Sequence, residues 1–135
     1  MRTHVEFRSD AFPAEPGEEE QINPGRWGAA LARYLRTELT ARGLPGGEPN
    51  AEDWGMRVPL DNEHFPLWVG CGNYEEYPDG FLCFIEPSQP HVRRLFRKVA
   101  TSDRVEAVAT ALEAALLAHP RVRELRWWTG TGAGT

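Results

Sequence analysis

Residues 65–86, FPLWVGCGNYEEYPDGFLCFIE, leave the chain little choice. Two apolar runs of strand length flank the turn signal YEEYPDG, the pattern of an antiparallel hairpin. A turn over residues 75–79 sets Tyr74 opposite Gly80. In that register Val69 faces Ile85, Gly70 faces Phe84, Cys71 faces Cys83 and Asn73 faces Phe81. Successive side chains alternate between the two faces of a strand, so this register assigns every residue of the hairpin to a side.

One side carries Leu67, Val69, Cys71, Phe81, Cys83 and Ile85, and reads as a core face. Directly opposed Cβ atoms lie about 4.5–5.5 Å apart, so the only two cysteines of the chain are expected as neighbours within that core. Buried thiols behave as small hydrophobes with raised pKa values. A reversible cross-strand disulfide is the main alternative. A metal site has little support without CxxC or HxxxH spacing, and a nucleophile lacks a base placed to activate it.

The other side carries Trp68, Gly70, Gly72 and Tyr74 next to Leu82 and Phe84. It is aromatic at its margins and hollow at the glycines, which in a strand often mark the close approach of another backbone or a ligand. An exposed apolar patch of this kind usually marks an interface. A homodimer through this face is the leading expectation. The alternative is that the long loops at 9–21 and 87–100 fold over it.

Around the hairpin, THVEFR alternates as a short strand with Val5 and Phe7 on one face. SDAFPAEPGEEEQ reads as loop, and the acids Glu18, Glu19 and Glu20 as a solvated linker. In INPGRWGAALARYLRTELTARG, Asn23 is placed as N-cap, Pro24 as first helical residue, and Ile22 with Trp27 as a hydrophobic staple. This predicts a helix over 24–42 with Leu31, Leu35 and Leu39 buried and Gly43 as its stop. LPGGEPNAED reads as loop. WGMRVPL alternates, with Trp54, Met56, Val58 and Leu60 on one face, and Pro59 marks an edge or an end. Residues 87–100 read as an irregular connection with one helical turn at most. Asp103 and Glu106 have capping-box spacing for a second helix burying Val105, Val108, Ala109, Leu112, Ala115 and Leu116. VRELRWW is a last strand, and residues 129–135 are expected as a disordered tail.

The order β-α-β-β-β-α-β predicts one α+β domain over 1–128. Its form is a two-layer sandwich, a mainly antiparallel sheet with both helices on one face, related to ferredoxin-like folds by one additional strand. The chain has 135 residues, 41% of them hydrophobic, which suits one core and not two domains. A net charge of −5 argues against nucleic acid as partner. The cluster Arg93, Arg94, Arg97 and Lys98 remains as a local patch for a phosphate or an acidic partner. No apolar run is long enough to cross a bilayer, so no membrane partner is expected. With no secretory signal pattern and two cysteines, the cytoplasm is the expected compartment.

Other chemistry is sparse. Glu52 and Asp53 beside Trp54 could supply a general acid, or simply face water. His4, His64, His91 and His119 have no ligand spacing, and no phosphate loop or GxSxG is present. NPGRWG and EDWG resemble motifs of a group of small uncharacterised bacterial proteins with no assigned activity. The resemblance covers roughly residues 20–86 and implies Asn23, Arg26, Glu52, Asp53 and Trp54 as residues that act together. No metal, cofactor or catalytic residue is expected. The reading is a non-enzymatic binding or interaction protein, immunity-like in neutralising a partner. The alternative is a small-molecule-binding domain or minor enzyme using the aromatic face as a pocket, with Trp68, Gly70, Gly72, Tyr74 and Phe84 as its surface and Glu52, Asp53 or Arg26 as polar anchors.

Overall fold

The computed structural model describes residues 1–74 and 76–130. In chain order it contains β1 (His4–Ser9), α1 (Glu18–Gln21), α2 (Ala29–Ala41), β2 (Asn50–Glu52), β3 (Gly55–Leu60) and β4 (Leu67–Asn73). These are followed by β5 (Gly80–Glu86), β6 (His91–Arg94), β7 (Arg97–Ala100), α3 (Ser102–Leu117) and β8 (Val122–Trp128). Six strands make one sheet in the order β2-β3-β4-β5-β1-β8, every neighbouring pair antiparallel. The strand β1 lies between β5 and β8, the two strands that α3 connects, which gives the split β-α-β arrangement of ferredoxin-like folds. Beyond β4 the sheet is extended by β3 and the short β2. The α+β two-layer architecture is therefore as expected.

The β4–β5 register is also as expected, with Val69 opposite Ile85, Gly70 opposite Phe84 and Cys71 opposite Cys83. The cysteine face packs against α2 and α3, burying Val5, Phe7, Val58, Val69, Cys71, Cys83 and Ile85 with Leu31, Leu35, Leu39, Val108 and Leu112. The Tyr34 hydroxyl ties the two helices by donating to the Ala115 carbonyl at 2.6 Å. Pro59 sits beyond the last β2–β3 pair, where its missing N–H costs no ladder bond.

The helix expected over 24–42 begins only at Ala29. Pro24 and Gly25 are spent on a type II β-turn instead, in which the Arg26 N–H donates to the Asn23 carbonyl at 3.0 Å and Gly25 has φ 77°. Asn23 is thus not the cap. That role falls to Glu18, whose buried carboxylate accepts the N–H groups of Gly28 and Ala29, each at 2.6 Å. Its other oxygen accepts the Glu15 N–H at 2.9 Å. One of the three acids read as solvated linker is therefore the cap of the main helix, placed ten residues ahead of it by the one-turn α1. At the other end Gly43, with φ 86°, closes a Schellman motif: Leu44 N–H reaches the Leu39 carbonyl and Gly43 N–H the Thr40 carbonyl.

Four further expectations are corrected. The capping box of the second helix is not made: α3 starts at Ser102, and Glu106 instead accepts from Arg2 Nε at 2.9 Å. Part of the loop read over 44–53 forms β2. Residues 87–100 hold the β6–β7 hairpin, with no helical turn. Trp54 does not share the face of Met56 and Val58, because it occupies the tip of the β2–β3 turn and swings to the opposite side. At the C-terminal end the Thr129 hydroxyl donates to the Met1 carbonyl and Gly130 N–H to the Thr3 hydroxyl, each at 2.6 Å. The rest of the expected tail, 131–135, lies outside the described residues.

Glu18→Ala should destabilise the fold by about 2–4 kcal/mol in urea denaturation, because three backbone donors lose a charged acceptor. Glu18→Gln, which keeps one oxygen, should lose less. A cost for Glu18→Ala below about 0.5 kcal/mol would show that the cap contributes nothing beyond an ordinary surface residue.

Candidate functional site

The sheet face away from the helices is paved with rings. Trp54 stacks on Trp68 at 5.9 Å between centroids, and both meet Phe84, at 5.0 and 5.6 Å. The row continues through His4, 5.8 Å from Phe84, to Trp128 at 5.5 Å from His4. It therefore crosses the sheet from the β2–β3 turn to β8. Arg57 lies over Trp68 at 4.7 Å and Arg126 over Trp128 at 5.2 Å, geometry that suits cation–π attraction. Both long loops are anchored on the other side. Phe12 packs with Tyr34 and Phe81, while Val92 and Val99 pack against the core.

The hollow expected at the glycines has two different occupants. At Gly70 the Phe84 ring lies flat over the strand, and a Cβ there would fall 2.6 Å from Phe84 Cε1. At Gly72 the approach is of backbone: a Cβ would stand 3.1 Å from the Trp54 carbonyl oxygen and 3.4 Å from that of Trp27. The neighbouring Asn73 holds this junction together. Its N–H donates to the Trp27 carbonyl at 2.9 Å, its side-chain oxygen accepts the Trp27 N–H at 3.0 Å, and its amide nitrogen donates to the Gly25 carbonyl at 2.9 Å.

Between this junction and the rings lies an open cleft of about 480 Å³, lined by Arg26, Trp54, Gly72, Asn73, Tyr74, Glu76, Leu82 and Phe84. Five of the residues singled out in the sequence thus meet around one cleft: Arg26, Trp54, Gly72, Tyr74 and Phe84. Trp68 and Gly70 do not line it but back the rings that do, Trp68 against Trp54 and Phe84 and Gly70 under Phe84. Asn23, Glu52 and Asp53 do not line it; Asn23 is exposed in its turn, and the two acids lie at the β2–β3 turn. Sequence reasoning missed Asn73 and Glu76 at the cleft, and His4 and Trp128 in the row. Strict alternation in β1 and β8 was the available signal for the last two, since it sets them opposite the core residues Val5 and Trp127.

The electrostatics are those of a charged rim around an apolar centre. Towards β8, Glu6 pairs with Arg126 at 2.6 Å, and Asp79 with Arg8 at 2.8 Å and Arg123 at 2.7 Å. The hydrogen bond from Arg8, with help from Arg123, holds the Asp79 carboxyl below its usual range. The hydrogen bond to Glu76 holds the Tyr74 hydroxyl above its ordinary value. Burial lowers His4, partly opposed by the charge of Glu86. On the core side burial drives both thiols upward, so neither is a thiolate near neutral pH. Among the described residues no three His, Cys, Asp or Glu side chains converge as metal ligands.

Comparison with protein families, curated proteins and solved structures finds no match to this chain.

Two outcomes follow. Gly70→Ala should cost about 1–3 kcal/mol of stability and alter the near-ultraviolet circular dichroism, since the methyl must displace Phe84 from the row. An unchanged spectrum would mean the ring has other places to go. The lowered His4 favours the neutral imidazole in the folded state, so the unfolded chain takes up its proton first as pH falls. Stability should decline as pH drops below the ordinary value of 6.5 and level off beneath the folded-state pKa. His4→Gln should flatten this decline relative to wild type in melts across that range.

Proposed function

We propose that this protein is a non-enzymatic binding protein that self-associates through the aromatic face of its sheet. The observation that carries the reading is the ring row from Trp54 to Trp128, which no helix of the described residues covers and which paired charges border. Aromatic centres with a polar rim are the usual anatomy of protein interfaces. Trp and Tyr supply large contact area at small entropic cost, and they dominate the energetics where they are desolvated on binding. The buried, protonated thiols add no nucleophile to this face. Neutralising a toxin-like partner is the immunity-like form of the same function, in which the partner replaces the second copy.

A second reading is favoured by one specific feature, the cleft. Its volume falls within the range of ligand sites, about 300–1,000 Å³, and Arg26, Asn73, Tyr74 and Glu76 present polar groups along an aromatic floor. A small planar molecule stacked on Trp54 and Phe84 would fit that lining.

Sedimentation equilibrium at micromolar concentration distinguishes the two readings, using wild type and Trp54→Glu. Gly72 is a poorer choice for substitution, because a β-carbon there would crowd the Trp54 and Trp27 carbonyl oxygens and confound assembly with stability. A dimer that dissociates in the variant, with a melting temperature within a few degrees of wild type, supports self-association. A monomeric wild type overturns it. A small molecule that raises the melting temperature of wild type but not of Trp54→Glu then carries the second reading.

A further inference from the structure

The hairpin β6–β7 ends in a two-residue turn at Leu95 and Phe96, between the paired Arg94 and Arg97. Both turn residues have positive φ, 49° and 69°. A turn of this kind favours Asn-Gly and disfavours bulky side chains. Nor does packing explain the choice, since Leu95 is 88% and Phe96 100% exposed. Folding alone would have selected against both residues.

The charges around this tip are equally distinctive. Residues 91–100 contain Arg93, Arg94, Arg97 and Lys98 and no acid. Of the chain's 15 basic residues that leaves 11 to face 20 acids elsewhere. None of these four side chains makes an ion pair, hydrogen bond or ring contact among the described residues. Every other arginine engages a partner: Arg36 with Glu48, Arg121 with Asp10 and Arg104 with Asn62 are typical. The only unpartnered cations of the described chain are thus gathered behind its two most exposed apolar side chains.

Alternation puts Arg94 and Arg97 on one face of the hairpin and Arg93 and Lys98 on the other. Charge therefore surrounds the hairpin axis, where a groove-bound protein segment would concentrate it on one side. At about 3.3 Å per residue the two cation pairs stand roughly 3–7 Å behind the turn. That matches the depth, about 5–10 Å, to which apolar groups enter the headgroup–acyl boundary of a bilayer.

We propose that the β6–β7 hairpin docks the protein on an anionic lipid surface. Leu95 and Phe96 enter the interface, while Arg93, Arg94, Arg97 and Lys98 sit among the lipid phosphates. The acidic remainder is repelled by the same surface, which leaves the hairpin as the one element that can approach. That no helix among the described residues is long and apolar enough to cross a bilayer bears only on crossing, and this contact is peripheral.

The test is flotation of the full chain with vesicles of phosphatidylcholine alone or with about 30 mol% phosphatidylserine, at about 100 mM salt. Wild type should float with the anionic vesicles and not with the neutral ones. Each cation near such a surface is worth about fivefold in partitioning, so Arg94→Gln/Arg97→Gln should weaken binding by about 25-fold. Leu95→Asn/Phe96→Gly should abolish flotation while melting at or above the wild-type temperature, because it relaxes the turn and touches no core residue. Wild type that stays unbound even at about 50 mM salt overturns the proposal. So does a Leu95→Asn/Phe96→Gly variant that floats like wild type. Retention by a single-stranded oligonucleotide without vesicle binding would assign the hairpin to nucleic-acid phosphates and overturn it equally.

Discussion

The rest of the structure depends on a close approach of backbones at Gly72. There the segment entering α2, the turn between β2 and β3, and the strand β4 come within van der Waals contact, and Asn73 binds the first to the third through its main chain and its side-chain amide. A β-carbon at Gly72 would crowd two carbonyl oxygens. This contact fixes where α2 can begin, and Glu18 then satisfies the helix donors it leaves open. It also holds the Trp54 backbone against β4, from where its ring reaches Trp68 and Phe84. The main helix and the aromatic face thus share one anchor.

Much of this was legible in the sequence where a single period or a single turn decided the outcome. The hairpin register followed from its turn and from alternation, and with it the burial of Cys71 and Cys83. The stripe of α3 followed from its 3.6-residue period. What escaped were choices between two local options with similar residues. Asn-Pro-Gly opens a helix as readily as it makes a type II turn, and the outcome was decided by Asn73, fifty residues on. Glu18 reads as a solvated charge in any local window, and its burial depends on where the α2 terminus arrives. The β6–β7 hairpin was hidden because Leu-Phe is a poor turn signal.

The candidate site was legible in the same uneven way. Arg26, Trp54, Gly72, Tyr74 and Phe84 come together because they share one sheet face or one backbone junction. Asn23, Glu52 and Asp53 were singled out from motif likeness and from local cues, a cap and an acid beside an indole, and their turns carry them away from the cleft. The glycines were read rightly as points of close approach, although the approaching group at Gly70 is Phe84 of the same sheet. A face that looked empty along one strand is filled by its neighbour.

The position of β1 has a consequence for how the chain comes off the ribosome. The first strand of this sheet in chain order is hydrogen-bonded on one side to β5 and on the other to β8, the last of the six. Just ahead of β1, the contacts of Arg2 with Glu106, Thr110 and Glu113 and the Thr3–Gly130 bond likewise await segments a hundred residues and more away. Until β8 is made, β1 keeps one edge open even where β5 has paired with the other. Closure of this sheet waits for the last of its strands in chain order and joins segments more than a hundred residues apart, and such long-range topologies fold slowly. Nascent chains stalled before Val122 would expose one edge of β1 to whatever strand came by.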